Sequence, residues 1–258
     1  RSLFDDKGDF MTIATLIAAD RLDDEMVAAA TAQLAAAGVM AGPPQWIDRG
    51  SAADLPLTGD AARARAVLAE WPAPVDVVLH RAGARRKRLI IADMDSTMIT
   101  VECIDELADY AGIKPQIAAI TERAMRGELD FRAALAERVA LLAGLDASVI
   151  DRCLAERVAL MPGARTLVQT MAAAGARAVL VSGGFTRFAE PVAAEIGFHR
   201  AVANRLELAG GKLTGKVADP VIDSAAKRAE LEAEVAALGI TAADALAVGD
   251  GANDAPML

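Results

Sequence analysis

The chain has 258 residues and a formal net charge of −9, which argues against nucleic acid or an anionic membrane as a general partner. No apolar run in the sequence approaches the roughly 20 residues that a membrane helix needs. Hydrophobic residues make up 54% and aromatic residues only 3% of the chain, so the core must be built from Ala, Val, Leu and Ile, which favours helices packed on a parallel sheet.

The cysteines and the N-terminus indicate a cytoplasmic protein. Cys103 and Cys153 lie in segments that read as helical, without CxxC spacing, which is typical of reduced core thiols. The first ten residues are charged and lack an apolar stretch, so they do not predict a secretory signal. We expect the natural chain to start at Met11.

Residues 11–84 predict a small α+β domain. A β-α-β-α-β order within about seventy residues is typical of a ferredoxin-like module. The basic, turn-prone segment GARRK at 83–87 then predicts a linker. The predicted elements are a strand over 12–19, a helix over 22–37, a strand over 45–47, a helix over 60–71 and a strand over 75–80.

Residues 85–258 predict a doubly wound α/β domain, because short apolar strands alternate with helices. A long helical block follows the first strand and exceeds an ordinary crossover connection, so we interpret it as a helical cap inserted at about 102–160. The predicted elements are a strand over 88–92, helices within 101–156, a helix over 164–174, a strand over 178–181, a helix from 185 and a strand over 245–248.

Polar residues follow three of these predicted strands directly. Asp93 and Asp95 follow LIIA, a Ser-Gly-Gly turn at 182–184 follows AVLV, and Asp250 follows ALAVG. Because the carboxyl ends of parallel strands meet at one edge of the sheet, we expect these groups to share one crevice.

The aspartates predict a metal site. Asp93, Asp95, Asp250 and Asp254 would repel one another in such a crevice, and an all-oxygen set of carboxylates suits Mg²⁺. The alternative is that each aspartate only caps the helix after it. Acidic or polar residues beside glycines at three strand ends favour the metal site.

Carboxylates beside a Ser-Gly-Gly turn predict phosphate chemistry, since backbone N–H groups and a hydroxyl can hold phosphoryl oxygens. Asp93 can then attack phosphorus and form an aspartyl-phosphate. Asp95, two positions on, can protonate the leaving oxygen and later deprotonate water.

Longer segments resemble a known family. The chain is similar to the haloacid dehalogenase-type phosphatases and, more closely, to the bacterial phosphoserine phosphatases, almost continuously over 88–258. This resemblance implies a Rossmann-like core with a helical cap, and a further strand and helix after the closing motif, where this sequence reaches Leu258. It rests on MDSTMITVECIDELA, TERAMRGELDF, RVALLAG, LMPGA, VSGGFTRFAE, VANRLEL and GDGANDAPM.

The resemblance also implies roles for individual residues. Asp93 would be the nucleophile and Asp95 the general acid and base. Mg²⁺ would be held by the Asp93 carboxylate, the Asp95 backbone carbonyl and Asp250. The other implied roles are phosphate binding by Ser182, Gly183 and Lys227, binding of the substrate ammonium by Glu102 and of its carboxylate by Arg138, and apolar contact with the substrate by Met125 and Phe131. Asn253 and Asp254 would orient the water, the lysine and the metal shell, and Asn253 would also bind substrate.

The implied activity is Mg²⁺-dependent hydrolysis of O-phospho-L-serine to serine and phosphate, the last step of serine biosynthesis. Two alternatives stay open: phosphoryl transfer to another hydroxyl such as that of homoserine, and hydrolysis of another small phosphometabolite. Residues 11–84 resemble amino-acid-binding regulatory (ACT-like) domains, and this region could instead mediate a homodimer or be purely structural.

Overall fold

The computed structural model describes residues 12–71, 74–83 and 85–258. The chain divides between Arg86 and Lys87 into two compact units, within the basic segment 83–87. The predicted start at Met11 lies outside the described residues. In the part of the chain that is described, no helix is long and apolar enough to cross a membrane.

The described part of the N-terminal unit forms a five-stranded antiparallel sheet with two helices. Its elements are β1 (Thr12–Leu22), α1 (Asp24–Ala36), β2 (Met40–Ala41), β3 (Gln45–Asp48), β4 (Gly50–Thr58), α2 (Ala61–Ala69) and β5 (Val75–Arg81). Strand β1 lies between β4 and β5, while β2 and β3 both pair with β4.

The two faces of this sheet differ in chemistry. Leu16 and Leu55 are buried in one apolar cluster with residues of both helices. Side chains alternate along a strand, so their neighbours Thr15 and Asp54 lie on the other face, where Thr15 Oγ1 donates to Asp54 Oδ1 at 2.7 Å and Arg85 Nη2 donates to Asp54 Oδ1 at 2.6 Å. Sequence reasoning missed β4 because Asp54 and Pro56 interrupt its apolar pattern.

The C-terminal unit holds the second sheet. Its elements are β6 (Leu89–Ala92), α3 (Cys103–Tyr110), α4 (Lys114–Met125), α5 (Phe131–Ala140), α6 (Ser148–Arg157), α7 (Ala164–Ala173), β7 (Arg177–Phe185), α8 (Thr186–Ile196), β8 (Arg200–Ala209), β9 (Lys212–Ala218), α9 (Ser224–Leu238) and β10 (Ala245–Val248). The strand order is β10-β6-β7-β8-β9. The first four strands are parallel, and β9 returns antiparallel to β8.

Helices cover both faces of this sheet, which confirms the doubly wound prediction. Ile90 and Leu180 are buried with residues of α7 and α8. Leu89, Ile91 and Val179 are buried in a separate cluster against α9. Because both faces are apolar, polar groups of the core collect at the strand ends.

The segment 102–160, which contains the four helices α3 to α6 and which we call the cap, lies between β6 and α7. The segment that follows α5 is hydrogen-bonded to the core. The Gly144 N–H donates to the Leu213 carbonyl at 2.8 Å, and the Leu213 N–H donates to the Leu145 carbonyl at 2.9 Å. Both bonds join the cap to β9. The hairpin β8–β9, absent from the sequence prediction, therefore fixes one end of α5.

Candidate active site

The carboxyl ends of β6, β7 and β10 and the facing side of the cap enclose a cavity of about 110 Å³. The Asp93 N–H donates to the Val248 carbonyl at 2.9 Å, so the loops after β6 and β10 leave the sheet side by side. The predicted residues that line the cavity are Asp93, Asp95, Glu102, Phe131, Arg138, Ser182, Gly183, Asp250 and Asn253.

Asp93 is buried at the end of β6, and its position is fixed by two donors. Its Oδ1 accepts the Met94 N–H at 2.8 Å and lies 2.8 Å from Lys227 Nζ. Burial raises the pKa of the Asp93 carboxyl to about 6, against the opposing effect of the Lys227 charge. The carboxyl is therefore mostly ionised at neutral pH.

Lys227 lies behind Asp93 and carries a second ion pair. Its Nζ is 2.7 Å from Asp254 Oδ1, and the side chains of Lys227 and Asp254 are 1% and 0% exposed. Asp223 caps α9 by accepting the Ala226 N–H at 2.9 Å, which starts the helix so that Lys227 falls in its second turn and faces the site. Because these three charges are buried together, removal of any one of them would leave another without its full counter-charge.

Asp95 is held differently from Asp93, although it is only two residues away. Its Oδ1 accepts the Cys103 N–H at 3.3 Å, and burial raises its pKa to about 7. Gly184 makes room for it, since a Cβ at residue 184 would lie 2.9 Å from Asp95 Oδ2 and 3.0 Å from Ser182 Oγ. Asp95 can thus exchange a proton near neutral pH.

The carboxyl end of β7, which contains the Ser-Gly-Gly segment 182–184, brings a hydroxyl and backbone groups to the cavity. Ser182 is 1% exposed, and its Oγ accepts the Gly184 N–H at 2.9 Å. Phe131 of α5 packs against this segment, with its Cζ 3.2 Å from the position that a Cβ on Gly183 would occupy. A phosphoryl group in the cavity would therefore lie beside the Ser182 hydroxyl and the backbone of Gly183.

Carboxylate oxygens of Asp93, Asp250 and Asp254 lie within 4.8 Å of one another. Asp250 Oδ1 accepts the Thr97 hydroxyl at 2.7 Å. Both oxygens of Asp254 are already engaged, by Lys227 Nζ and by the Gly251 N–H at 3.1 Å.

Asp93 and Asp250 each keep one carboxylate oxygen, Oδ2, that accepts no hydrogen bond from the described residues. This all-oxygen donor set fits a divalent cation. The Asp95 carboxylate is not part of the cluster.

The cap contributes two charged groups to the cavity. Burial lowers the pKa of the Arg138 guanidinium, while the charges of Asp105 and Glu102 act in the opposite direction. Glu102 Oε1 accepts the Ser96 hydroxyl at 2.6 Å, and its Oε2 accepts no hydrogen bond from the described residues. A cation and an anion therefore face the same small space.

The structure does not bring Met125 to the cavity. Helix α4 buries Ile117 and Ile120, whereas Met125 is its last residue and is 85% exposed. The predicted contact of Met125 with substrate stays a prediction. Apolar lining residues that sequence reasoning missed are Ile104, Leu135 and Phe185, which no local signal separates from other core residues.

Three comparisons place these features among known proteins. The family model for haloacid dehalogenase-like hydrolase matches residues 90–258. A phosphoserine phosphatase of Mycobacterium tuberculosis is 48% identical over 186 residues, which cover 71% of this chain and 45% of that protein.

Among solved structures, a probable phosphoserine phosphatase from Vibrio cholerae in unliganded form aligns with 96% of this chain and 75% of that chain, at 29% identity and a TM-score of 0.76. A phospho-aspartyl intermediate analogue of phosphoserine phosphatase aligns with 67% of this chain and 82% of that chain, at 38% identity and a TM-score of 0.62.

The chain spans less than half the length of the first curated relatives that it matches. The matched region is 45% of the phosphoserine phosphatase of Mycobacterium tuberculosis and 45% of that of Streptomyces coelicolor.

Substitution of Lys227 tests the buried ion pairs. We expect Lys227→Met to lower the free energy of unfolding by about 3 kcal/mol, because it leaves Asp93 and Asp254 buried without a counter-charge. Urea denaturation measures the change. The control is Arg228→Met, because the neighbouring Arg228 pairs with Glu232 on the exposed surface and should cost less than about 0.5 kcal/mol. Equal losses would contradict the interpretation.

Proposed function

The chain belongs to the haloacid dehalogenase-like hydrolase family, and on that basis we propose that it hydrolyses O-phospho-L-serine to serine and phosphate, using Mg²⁺, as the last step of serine biosynthesis. The main support is the pair Asp93 and Asp95, two carboxyls that line one cavity: Asp93 is held against the Lys227 ammonium, whereas Asp95 accepts, among the described residues, only the Cys103 N–H and has a raised pKa. One is suited to attack and the other to proton transfer.

In the first half-reaction, a carboxylate oxygen of Asp93 attacks phosphorus. The bond between phosphorus and this oxygen forms, and the bond between phosphorus and the serine oxygen breaks. Asp95 donates its proton to the departing serine oxygen, so serine leaves as a neutral hydroxyl. Phosphorus is then an acyl phosphate on Asp93.

In the second half-reaction, Asp95 is a carboxylate and takes a proton from water. The water oxygen attacks phosphorus, and the bond between phosphorus and Asp93 breaks. Phosphate leaves, Asp93 is again ionised and Asp95 is again protonated. Ser182, the Gly183 backbone and Lys227 hold the phosphoryl group in both steps, and Asn253 and Asp254 orient water, lysine and metal shell.

Mg²⁺ is the metal that we propose, with Asp93, Asp250 and the backbone carbonyl of Asp95 as its protein ligands. The Oδ2 atoms of Asp93 and Asp250, which accept no hydrogen bond from the described residues, support this assignment. When bound, the cation would reduce the repulsion between the phosphoryl group and the attacking carboxylate. Asp254 serves instead as the partner of Lys227.

Phosphoserine carries an ammonium and a carboxylate, and the cap offers one group for each. Glu102, whose Oε2 accepts no hydrogen bond within the part of the chain that the structure describes, is proposed to bind the ammonium, and Arg138 the carboxylate through its planar guanidinium. Phe131 packs over the substrate. The cavity volume of about 110 Å³ suits a small phosphate ester.

For the N-terminal unit we propose an ACT-like, ferredoxin-like domain. The central position of β1 and the packing of α1 and α2 on one face of the sheet support it. Amino-acid binding there, a homodimer formed through this unit and a cytoplasmic location stay predictions.

Asp93→Asn tests the nucleophile. We expect phosphate release from phosphoserine to fall below detection, because an amide oxygen is a poor nucleophile, while the circular dichroism spectrum stays unchanged. The assay is run with and without homoserine, so that transfer to an acceptor is seen separately from release. The control Asp109→Asn changes an exposed acid of α3. Appreciable turnover by Asp93→Asn would exclude the covalent route.

Arg138→Ala tests substrate recognition. We expect kcat/KM for phosphoserine to fall by about 10- to 100-fold, the range for losing a charge-assisted hydrogen bond. The value for p-nitrophenyl phosphate, which has no carboxylate, should change only a few-fold. Arg126→Ala, at an exposed cap residue that pairs with Glu122 and Glu128, should leave both values unchanged. Equal losses on both substrates would make Arg138 structural.

Chelation tests the metal. We expect EDTA to remove activity and added Mg²⁺ to restore it, and Asp250→Asn to raise the Mg²⁺ concentration for half-maximal activity by about tenfold or more, since a carboxylate ligand is lost. Calorimetric titration with Mg²⁺ measures binding independently of turnover. Full activity in EDTA would contradict the proposal.

A further inference from the structure

We propose that Asn204 is a positioning residue for phosphate binding, and that it acts on Ser182 through the peptide group between Gly183 and Gly184. The inference rests on the proposed function, in which Ser182 binds the transferring phosphoryl group. Asn204 does not line the cavity, and no role was predicted for it, although it lies in the segment VANRLEL on which the family resemblance rests.

The first observation is an irregularity between β7 and β8. Ser182 is paired with Ala203, and the next pair along the two strands is Phe185 with Asn204. Gly183 and Gly184 therefore have no partner residue on β8 and bulge from the ladder. A bulge of this kind leaves backbone groups without their ladder hydrogen bonds.

The Asn204 side chain binds one of these backbone groups, the Gly183 carbonyl. Its Nδ2 donates to the Gly183 carbonyl at 2.8 Å. The same Nδ2 donates to the Ile222 carbonyl at 3.3 Å, and Asn204 Oδ1 accepts the Ile222 N–H at 2.8 Å. Asn204 is 0% exposed, and its side-chain amide makes these three hydrogen bonds. They fix which end of the amide is the oxygen, because only the oxygen can accept the Ile222 N–H.

Because the peptide group is planar, fixing the Gly183 carbonyl also fixes the direction of the Gly184 N–H. In a trans peptide the C=O and the next N–H point in opposite directions, and among the described residues the only cis bond joins Asp219 and Pro220. Because the Gly183 carbonyl points at Asn204, the Gly184 N–H points the other way. It donates to Ser182 Oγ at 2.9 Å.

This last bond decides what the Ser182 hydroxyl can do. Its oxygen already accepts one hydrogen bond, so its own hydrogen is left to donate into the cavity. A hydroxyl oriented in this way is prepared to donate to a phosphoryl oxygen. Without Asn204 the peptide could rotate, and Ser182 would lose the contact that holds it.

Asn204→Asp tests the proposal with the full chain and Mg²⁺ present. Aspartate keeps an acceptor for the Ile222 N–H but removes the donor to Gly183. We expect the affinity for inorganic phosphate, measured by calorimetry, to fall roughly tenfold, as for the loss of one well-placed hydrogen bond. An unchanged affinity would overturn the proposal.

The matched control lies next to the other end of the same two strands. His199 Nδ1 accepts the Ala178 N–H at 3.0 Å, which also joins the segment of β8 to β7, but far along the strand from the cavity. His199→Ala should lower the unfolding temperature while leaving phosphate affinity unchanged. A parallel loss of phosphate affinity would mean that any weakening of this strand pair suffices.

A double-mutant cycle separates positioning from general stability. If Asn204 acts through Ser182, Asn204→Asp should have no further effect on phosphate affinity in a Ser182→Ala background. Additive losses would overturn the proposal. Wild-type protein that binds no phosphate and cleaves no phosphoserine would reject the proposed function itself, which is a distinguishable result.

A measurement on the native side chain covers the case in which Asn204 variants do not fold. Added phosphate should shift the side-chain amide resonances of Asn204, although this residue does not touch the cavity. Ser182→Ala should abolish that shift. A shift that persists in Ser182→Ala, or none in the wild type, would overturn the proposal.

Discussion

The ion pairs of Lys227 with Asp93 and Asp254 are the interaction on which the rest of the site depends. Carboxylates from the loops after two neighbouring strands, β6 and β10, converge in a space that excludes most water, and without a counter-charge their repulsion would push the loops apart. Lys227 offsets that repulsion from behind, on a helix that packs against the opposite face of the sheet from α7 and α8. The cavity side of Asp93 is left open.

A second constraint is that the site is shared between the core and the cap. The core supplies the groups that can act on a phosphoryl group, and α5 supplies Phe131 and Arg138. Because the segment after α5 is bonded to β9, the cap residues are held in register with the strand ends. In the function that we propose, chemistry and recognition are thus carried by different elements.

Much of this site could be predicted from the sequence, because polar residues directly after a short apolar run mark the end of a buried strand. Asp93, Asp95, Ser182 and Asp250 each follow a short apolar run, and the structure brings all four to one cavity. Lys227 could be found only through the family resemblance, since a lysine on a helix carries no local signal. Met125, which only the resemblance singled out, is 85% exposed and does not line the cavity.

The parts that could not be predicted depend on pairing over long distances in the sequence. Strand β4 is hidden by Asp54, which is stabilised by Thr15 and Arg85 from remote parts of the chain. Strand β8 was not predicted because polar residues alternate along it. The role that we infer for Asn204 follows only from the fold, which places the Gly183 carbonyl and the Ile222 backbone beside its side chain. In both cases a buried polar side chain breaks the apolar pattern, and its partners are known only from the fold.

The second partner of Lys227 has a consequence for the catalytic cycle that we propose. When Asp93 becomes an acyl phosphate, it no longer offers a carboxylate to the ammonium beside it. Asp254, fully buried and bonded to the same nitrogen, remains as a permanent counter-ion. The lysine is therefore never left as an isolated buried charge, and it can turn toward the phosphoryl oxygens without a large change in electrostatic energy between one half-reaction and the next.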